Sequence, residues 1–460
     1  MNTTDPAGNR DGSLFQTDFS PEEFAARRAR IFDAIGKGAH ALLQGAGPVR
    51  GFEVFRQTNE FYYCCGVEVP QAYLLLDGAR RRTTLYLPHK DKAHSSEGDI
   101  LAAEDAELAR QLTGVDAVHG LEALAQHLNP VSALYTPLAP GEGRTGTRGV
   151  LLWSDGCIAS DPWDGRLPRE QHLVGLLKSR HPRLDVRDLS PILNGVRCVK
   201  SQAEMRLLRR AGELSAKAVT EAMRVTRPGV LEYQLGALAN YIFLANGARG
   251  EGYRPIIAGG PNAWFGHYFR NNCPLRDGDL VLMDVAPDCG CYTSDIGRMW
   301  PVSGRCLPWQ RELYGFMVEY HKTLLARIRP GVTAGQVMDE AAAEMAKAVE
   351  GAAFSKGIYA EAARRTLKFR GHLSHPVGMA VHDVGEYHTK PLAPGLVFTV
   401  DPQMWVPEEK LYIRCEDTVA VTDSGIENFT ESAPLDLDDV EKLMREEGLL
   451  QAFPPLSSQI

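Results

Sequence analysis

The sequence has no long hydrophobic run. No uninterrupted apolar stretch approaches the roughly 20 residues that a membrane-spanning helix needs. The opening segment, MNTTDPAGNRDGSLFQTDFS, has neither the basic start nor the apolar core of a secretory signal. Positive charge is not in excess, because the net charge is −8, so there is no electrostatic basis for binding nucleic acid or an anionic membrane. We therefore expect a cytoplasmic protein with no nucleic-acid or membrane partner.

Cysteine is scarce and shows no disulfide or metal pattern. The nine cysteines are an odd number scattered over a long chain, and neither Cys64–Cys65 nor Cys289–Cys291 has a second cluster at zinc spacing. Two other signatures are missing as well. Residues 259–262 lack the P-loop lysine and the dinucleotide fingerprint, and no G-x-S-x-G serine elbow occurs. The cysteines are predicted to be structural, and catalysis would have to use other groups.

The length of 460 residues allows two domains, each with its own core. Strand-like runs such as AHALLQG, QAYLLLDG and RTTLYLP, together with helical patterns, predict an α/β domain over residues 1–185. Farther along, Ser201 and Glu204 form a capping box before a long amphipathic helix. The sequence Arg-Pro-Gly-Val occurs at 227–230 and again at 329–332. This recurrence predicts two similar helix-and-strand halves within a second domain, residues 186–460.

Possible metal ligands lie on two predicted hairpins of the second domain. In LVLMDVAPDCGCYTSDIGRMWPV the turn-forming residues centre between Cys289 and Gly290, so Asp284 and Asp295 are equally far from the turn. Directly opposed residues point to one face of a sheet, with Cβ atoms about 5 Å apart. The sequence therefore predicts that these two carboxylates face each other.

A second predicted hairpin repeats the arrangement. Its turn, PEEK, places Asp401 opposite Glu416. Two carboxylates this close repel each other by roughly 3 kcal/mol at an effective dielectric near 20. A single acid would be explained by the solvated face of a strand, but two symmetric pairs accompanied by His375 favour a pair of divalent cations. Oxygen ligands with one imidazole suit Mn²⁺, Co²⁺ or Zn²⁺, and two such ions can promote hydrolysis.

Several segments resemble one family. The strings GHYFRNN, LMDVAPDCGCYTSDIGRMWPVSG, SHPVGMAVHDVG, VFTVDPQMW and YIRCEDTVAVT are similar to the metal-binding segments of the pita-bread metallopeptidases, above all aminopeptidase P and prolidase. The string FRQTNEFYYCCGVEVPQAYLLL resembles the N-terminal domain of aminopeptidase P. The resemblance implies an α/β creatinase-like N-terminal domain, an α+β pita-bread catalytic domain, a proline-containing peptide as substrate and a homodimer or homotetramer.

The resemblance also implies a ligand set with assigned roles. Asp284 would bind one metal ion, Asp295 and Glu416 would bridge two, and His375 and Asp401 would complete the second. Two divalent ions are thus expected, with Mn²⁺ as the first choice and Co²⁺ or Zn²⁺ as alternatives.

Four further residues match family positions around the metals. His267 in GHY and His382 in AVHD match the two histidines that act on the substrate. Tyr253 and Arg414 match residues that contact the metal ligands. With Asp401 and Glu416 as proton carriers, the two histidines make up the expected catalytic set.

Two positions depart from the family pattern. The family usually has a glutamate where this chain has Asp401, and that carboxylate is the one proposed to carry the proton to the leaving amine. Relatives also commonly have a histidine four residues before the ligand histidine, whereas His372 precedes His375 by three. A shorter carboxylate requires a strand moved inward or a changed coordination, and His372 is given no catalytic role.

The expected function is a dinuclear-metal exopeptidase that releases the N-terminal residue before proline. Two alternatives share the chemistry, namely an Xaa-Pro dipeptidase (prolidase) and a proline-directed carboxypeptidase. A more distant alternative is a metal-free pita-bread module that only binds peptide or protein. That module would be expected to have lost metal ligands, whereas all five positions here still hold residues that can bind metal.

Overall fold

The computed structural model describes residues 15–92, 100–351 and 354–455. The chain divides into two compact units, Met1–Arg197 and Cys198–Ile460. The first unit extends past residue 185 because the strand Asp185–Asp188 pairs within its sheet. Among the described helices, none is both long enough and apolar enough to cross a membrane.

The first unit is an α/β layer, as predicted. Its elements in chain order are α1 (Pro21–Ile35), β1 (His40–Gln44), α2 (Asn59–Cys65), β2 (Tyr73–Asp77), β3 (Arg82–Leu87), α3 (Ala106–Thr113), β4 (Ala117–Gly120), α4 (Ala123–Leu128), β5 (Ala133–Thr136), α5 (Arg148–Ser160), α6 (Arg169–Arg180), β6 (Asp185–Asp188) and α7 (Ser190–Cys198). The strands form one sheet in the order β4-β3-β2-β1-β5-β6. Strands β1, β2 and β3 pair antiparallel, and the other neighbours pair parallel.

The second unit is α+β, again as predicted. Its elements are α8 (Gln202–Val225), α9 (Glu232–Ala245), β7 (Ile256–Gly259), β8 (Leu280–Asp284), β9 (Ile296–Pro301), α10 (Pro308–Arg327), α11 (Ala334–Gly351), α12 (Gly357–Lys368), β10 (Val397–Val400), β11 (Gln403–Val406), β12 (Leu411–Arg414), β13 (Glu416–Val421), β14 (Ile426–Asn428), α13 (Leu437–Leu443) and α14 (Leu449–Ala452). An antiparallel sheet runs in the order β10-β13-β9-β8-β7, with β14 paired to β13, while β11 and β12 form a separate hairpin.

The two faces of this antiparallel sheet pack against different helices. Leu280 and Leu282 of β8 belong to a core shared with α10, α11 and α12. Val281 and Met283 belong to a core shared with α8 and α9. Successive side chains of a strand point to opposite faces, so Asp284 continues the set that faces α10 to α12. The metal-ligand candidate at the end of β8 therefore lies on that face.

Local sequence signals set where the helices begin and how the halves repeat. Ser201 and Glu204 form the predicted capping box at the start of α8, with Glu204 N–H donating to the Ser201 hydroxyl and Ser201 N–H to the Glu204 carboxylate. The two Arg-Pro-Gly-Val segments follow α8 and α10. Gly229 and Gly331 have φ values of 93° and 86°, a conformation that favours glycine, so the same turn precedes α9 and α11.

Candidate metal centre

The first metal-binding hairpin turns one residue later than predicted. Gly290 and Cys291 occupy the turn with φ values of 59° and 70°, the positive pair that a type I′ hairpin requires. Asp284 consequently lies opposite Gly297, and the prediction that Asp295 faces it directly is wrong. The error arose because a non-glycine residue, Cys291, adopts the left-handed conformation. The strand residue that pairs with Asp284 changes by two positions, an even number, so Asp284 and Asp295 remain on the same face of the sheet.

The second hairpin has the predicted register. Val406 pairs with Leu411 across the turn, and Val400 pairs with Asp417 beyond it. Continuing either ladder by single residues places Asp401 opposite Glu416. Because Glu416 also pairs with Gly297 of β9, it lies between the two hairpins and brings their acidic groups to one place.

Five candidate ligands converge at this place. The Tyr253 hydroxyl lies 2.5 Å from Asp284 Oδ1 and 2.5 Å from Asp295 Oδ1, and its single proton can serve only one of them at a time. His375 Nε2 lies 3.4 Å from Asp295 Oδ2 and 3.7 Å from Glu416 Oε1. Donor atoms of Asp295, His375 and Glu416 fall within 4.8 Å of one another. Such a set can hold a metal ion.

One guanidinium contacts three of the acids. Arg414, which is buried, donates to Asp284 Oδ2, lies 3.1 Å from Glu416 Oε2 and lies 3.4 Å from Asp401 Oδ2. Three buried carboxylates thus contact one permanent positive charge, and Asp295 joins them through the Tyr253 hydroxyl that also contacts Asp284. Burial first, and then neighbouring carboxylates, raise the pKa values of Asp295 and Glu416 well above their usual range. Burial acts the same way on Asp284, but Arg414 and the Tyr253 hydrogen bond outweigh it and lower that pKa.

The fit of the site to metal ions is supported by carboxylate oxygens that have no hydrogen-bond donor. Asp401 Oδ1 and Glu416 Oε1 are buried and accept no hydrogen bond from any described residue. A buried acceptor without a partner costs about 1–3 kcal/mol, and more when it is charged. Divalent cations would supply both the missing contacts and the missing positive charge. The donor set therefore fits a pair of divalent ions.

The two substrate-side histidines lie beside the acids. The His382 ring is 4.1 Å from the His375 ring and 6.1 Å from the His267 ring, centre to centre. Burial, His375 and His267 lower the pKa of His382 to about 3, so its imidazole is neutral at physiological pH and can donate or accept a hydrogen bond. His267 stacks on Phe269 at 6.0 Å. His372 packs against Phe369 and His388.

Sequence reasoning missed residues that hold the candidate ligands. Gln403 Nε2 donates to Asp401 Oδ2 over 2.6 Å. The position of Gln403 two residues after Asp401 in the predicted hairpin was a signal for it, since residues two apart in an extended chain point to one face. The Thr418 hydroxyl donates to the Asp295 carbonyl over 2.8 Å and accepts from its N–H over 2.9 Å. The contact between Thr418 and Asp295 joins two segments that are distant in sequence, and no local pattern indicates it.

A buried ion pair behind Glu416 was also missed. Asp417 Oδ1 accepts from Arg298 Nη2 over 2.6 Å, and Asp417 Oδ2 lies 2.7 Å from His321 Nε2. Arg298 Nη1 also donates to the Glu416 carbonyl over 2.6 Å. These partners lower the pKa of Asp417 against the effect of burial and fix the backbone that carries Glu416.

The chain matches two family models. Residues 206–423 match Metallopeptidase family M24, and residues 24–136 match the aminopeptidase P N-terminal domain. The Xaa-Pro aminopeptidase of Escherichia coli strain K12 is 32% identical over 93% of this chain and 98% of its own length.

Solved structures agree in fold and length. Proline aminopeptidase P II from Yersinia pestis has a TM-score of 0.76 at 30% identity and covers 93% of this chain and 100% of its own. Zinc-substituted E. coli aminopeptidase P in complex with product has a TM-score of 0.75 at 30% identity, covering 93% of this chain and 99% of its own.

Proposed function

Because the chain belongs to the aminopeptidase P family of M24 metallopeptidases, and is thus a metal-dependent Xaa-Pro exopeptidase with a pita-bread catalytic domain, we propose that it releases the N-terminal residue from peptides with proline in second place. The observation that carries the proposal is the cluster of four buried carboxylates with one arginine, in which Asp401 Oδ1 and Glu416 Oε1 accept no hydrogen bond from the part of the chain that the structure describes.

We assign the metal ligands to Asp284, Asp295, His375, Asp401 and Glu416. When bound, a pair of divalent ions supplies activation of a water molecule and polarisation of the scissile carbonyl. Contacts within the protein keep the ligands in place for this task. Tyr253 contacts Asp284 and Asp295, and Gln403 donates to Asp401.

We assign proton transfer to a carboxylate and oxyanion stabilisation to a histidine. Asp401 or Glu416 accepts the proton of the attacking water and passes it to the proline nitrogen as the peptide bond breaks. Neutral His382 donates a hydrogen bond to the oxyanion of the tetrahedral intermediate. His267, whose ring centre is 6.1 Å from that of His382, is assigned to the side of the proline ring, where no amide N–H is needed.

The contacts of Arg414 support an enzyme that recognises the N-terminal end of its substrate. A dipeptidase needs a positive group to bind the terminal carboxylate of its dipeptide substrate. In the hairpin between Asp401 and Glu416, Arg414 is the only arginine of the sequence. Arg414 is buried and already contacts Asp284, Asp401 and Glu416. Lys410 lies at the turn of the hairpin. Longer peptides should therefore be accepted.

A peptide panel tests the proposal. Metal-loaded protein is given Gly-Pro, Gly-Pro-Ala and Ala-Ala-Pro at equal concentration. We expect glycine release from Gly-Pro-Ala at least as fast as from Gly-Pro. Strong preference for Gly-Pro would instead identify a dipeptidase, and proline release from Ala-Ala-Pro a carboxypeptidase.

We propose Mn²⁺ as the native ion because oxygen donors dominate the set and one imidazole completes it. The zinc-substituted E. coli relative supports Zn²⁺ as a possible replacement. Activity restored to chelator-treated protein by Mn²⁺, Co²⁺ and Zn²⁺ in turn ranks the ions. The homodimeric or homotetrameric state and the cytoplasmic compartment stay predictions, which light scattering on purified protein and cell fractionation test.

A further inference from the structure

A cavity of about 300 Å³ lies within the first unit, lined mainly by residues of strands β1 to β4 and helix α4. Its floor follows one face of the sheet, because Leu75 pairs with Thr84 and Thr84 pairs with Ala117 on the neighbouring strands. On this face Leu75 shares a core with Leu128 of α4. The volume is at the lower end of the roughly 300–1,000 Å³ of pockets that bind small molecules. A small molecule therefore fits the space between sheet and helix.

The lining of this cavity has an excess of basic groups. Among the described residues, its acidic side chain is Asp77 alone, and Arg80 Nη1 donates to Asp77 Oδ2 over 3.1 Å. One arginine therefore neutralises the acid. The basic side chains of the lining are His40, Arg80, Arg82, His119 and His127.

Arg82 has no counter-charge in the protein. In the part of the chain that the structure describes, no carboxylate forms an ion pair with it. The preceding residue, Arg81, pairs with Asp33 of α1 over 2.6 Å and is not part of the lining. The guanidinium of Arg82 can therefore donate hydrogen bonds to a ligand.

Two histidines face each other on the same side of the cavity. The rings of His119 and His127 meet edge to face, with 5.1 Å between their centres. The buried hydroxyl of Tyr86 lies 2.6 Å from His127 Nδ1, and a buried hydroxyl donates its proton where it finds an acceptor. In the neutral ring Nδ1 then accepts, and Nε2–H is the donor that His127 offers to a ligand.

The basic groups of the cavity repel one another. Burial first, and then the nearby positive charges of His119 and Arg82, lower the pKa of His127. An anion between these side chains would relieve the repulsion.

A metal ion fits the cavity less well than an anion. Two histidines can ligate a metal ion, but a stable site needs at least a third ligand, and within residues 15–92, 100–351 and 354–455 no third side chain completes such a site here. Asp77 already pairs with Arg80, and the charge of Arg82 repels a cation. The lining therefore favours a negatively charged ligand.

We propose that this cavity binds a phosphoryl group, supplied by free phosphate or by a small phosphate monoester. Such a group offers three acceptor oxygens and up to about two negative charges. Arg82, His119 and His127 offer donors from three separate elements, β3, β4 and α4. A carboxylate has two oxygens in one plane and would leave a donor unused. Leu75 and Ala117 in the lining give the carbon part of a monoester an apolar contact.

A comparison of ligands is the first test. Inorganic phosphate, glycerol 3-phosphate, glycerol and succinate are titrated into metal-loaded protein at constant ionic strength, and binding is measured by calorimetry. We expect both phosphates to bind at least about 10-fold more tightly than succinate, the effect of one further hydrogen bond to a charged group. Tighter binding of glycerol 3-phosphate than of phosphate would identify the monoester as ligand, and binding no tighter would identify the free ion.

Three results of this comparison would overturn the proposal. They are no binding of either phosphate, succinate binding as tight as phosphate binding, and glycerol binding as tight as that of glycerol 3-phosphate.

A matched pair of variants is the second test. Arg82→Met removes a positive charge from the lining, and Arg81→Met removes the same charge one residue away, outside the lining. We expect Arg82→Met to weaken phosphate binding by at least about 10-fold and Arg81→Met to leave it nearly unchanged. Equal weakening in both variants would show non-specific attraction to net charge. Unchanged binding in Arg82→Met would place the anion elsewhere, for example at the catalytic metals, and either result would overturn the proposal.

His119→Gln covers the case in which Arg82→Met does not fold, which melting temperatures reveal. It removes the charge of an exposed ring and should weaken phosphate binding several-fold. The same variant distinguishes an anion site from a metal site. After incubation with excess Zn²⁺, wild type and His119→Gln should retain the same number of zinc ions per chain. Loss of a zinc ion in His119→Gln, or phosphate binding equal to that of wild type, would overturn the proposal.

Discussion

Each of the two units buries a cluster of charged side chains, and the two clusters differ in their ratio of carboxylates to guanidinium groups. In the first unit, Glu60 and Glu142 meet Arg148 and Arg197, with N–O distances of 2.7 Å from Arg148 to Glu60 and 3.0 Å from Arg197 to Glu142. Two carboxylates face two guanidinium groups there, so the protein supplies its own counter-charge.

The cluster in the second unit has more negative groups than positive ones. Asp284, Asp401 and Glu416 contact one guanidinium, that of Arg414, and Asp295 is the fourth buried carboxylate of the cluster. In the balanced cluster each charge has a partner, so breaking it leaves a buried charge unpaired. The unbalanced cluster carries more negative groups than positive ones, and we propose that divalent cations supply the difference, which would distinguish a metal centre from a buried ion-pair network.

Asp295→Asn should have the largest effect. Loss of a proposed bridging ligand should remove metal and lower activity by more than the roughly 10–100-fold typical when a residue that only supports a ligand is changed. The metal-free variant should be as stable as the metal-free wild type or more stable, because repulsion is relieved. Bound metal, melting temperature and Gly-Pro-Ala hydrolysis are measured, with the exposed Asp423→Asn as control. Full metal occupancy with unchanged turnover would show that Asp295 is not a ligand.

His382→Ala should lower kcat by a factor on the order of 10² to 10⁴, the range for acid–base and oxyanion partners, and should keep its metal. His375→Ala should instead weaken or lose a metal ion, because its Nε2 lies among the carboxylate oxygens. Elemental analysis of both variants checks the division of roles. The same metal content in both would contradict it.

Arg197→Met should break the balanced cluster. Removing one partner of a buried ion pair costs about 3–5 kcal/mol of unfolding free energy, whereas the metal content of the second unit should not change. The exposed pair of Arg187 and Asp185 supplies the control, since Arg187→Met should cost no more than about 1 kcal/mol. Chemical denaturation measures both variants. Similar small losses would remove the contrast between a buried and an exposed pair.

Asp401→Glu restores the residue usual in the family but should lower activity by about 10-fold. Asp401 is fitted to its place by the 2.6 Å hydrogen bond from Gln403, and a longer side chain would displace both groups. Steady-state kinetics with each of Mn²⁺, Co²⁺ and Zn²⁺ provide the measurement. A higher kcat with any of these ions would show that the shorter side chain is not matched to its surroundings.

The melting temperature of the metal-free protein should depend on pH. The pKa values of Asp295 and Glu416 are raised on folding, so the folded state holds more protons than the unfolded state above about pH 4. Stability is then lost as pH rises towards the folded pKa values, by at most about 1.4 kcal/mol per pH unit for each group. Melting temperatures with chelator from pH 5 to 9 should fall more steeply for wild type than for Asp295→Asn. Parallel curves would contradict the pKa assignment.

Local signals predicted the two acidic hairpins, whereas the family resemblance supplied the ligand roles and the choice of His267, His382, Tyr253 and Arg414. Alternation and turn position gave the register of the second hairpin, which placed Asp401 opposite Glu416. The first hairpin was misplaced because no sequence rule indicates that Cys291 adopts a left-handed conformation. The contact between Thr418 and Asp295 and the basic cavity of the first unit could not be predicted, since both depend on how distant segments pack.

Metal titration of chelator-treated wild-type protein tests the central claim most directly. Mn²⁺ is added stepwise while bound ions per chain, melting temperature and Gly-Pro-Ala hydrolysis are followed on the same samples. We predict saturation at two ions per chain, with stability and hydrolysis rising as the sites fill. Full hydrolysis by protein that retains no bound metal in the presence of chelator would contradict the claim that the unbalanced acidic cluster exists to bind catalytic cations.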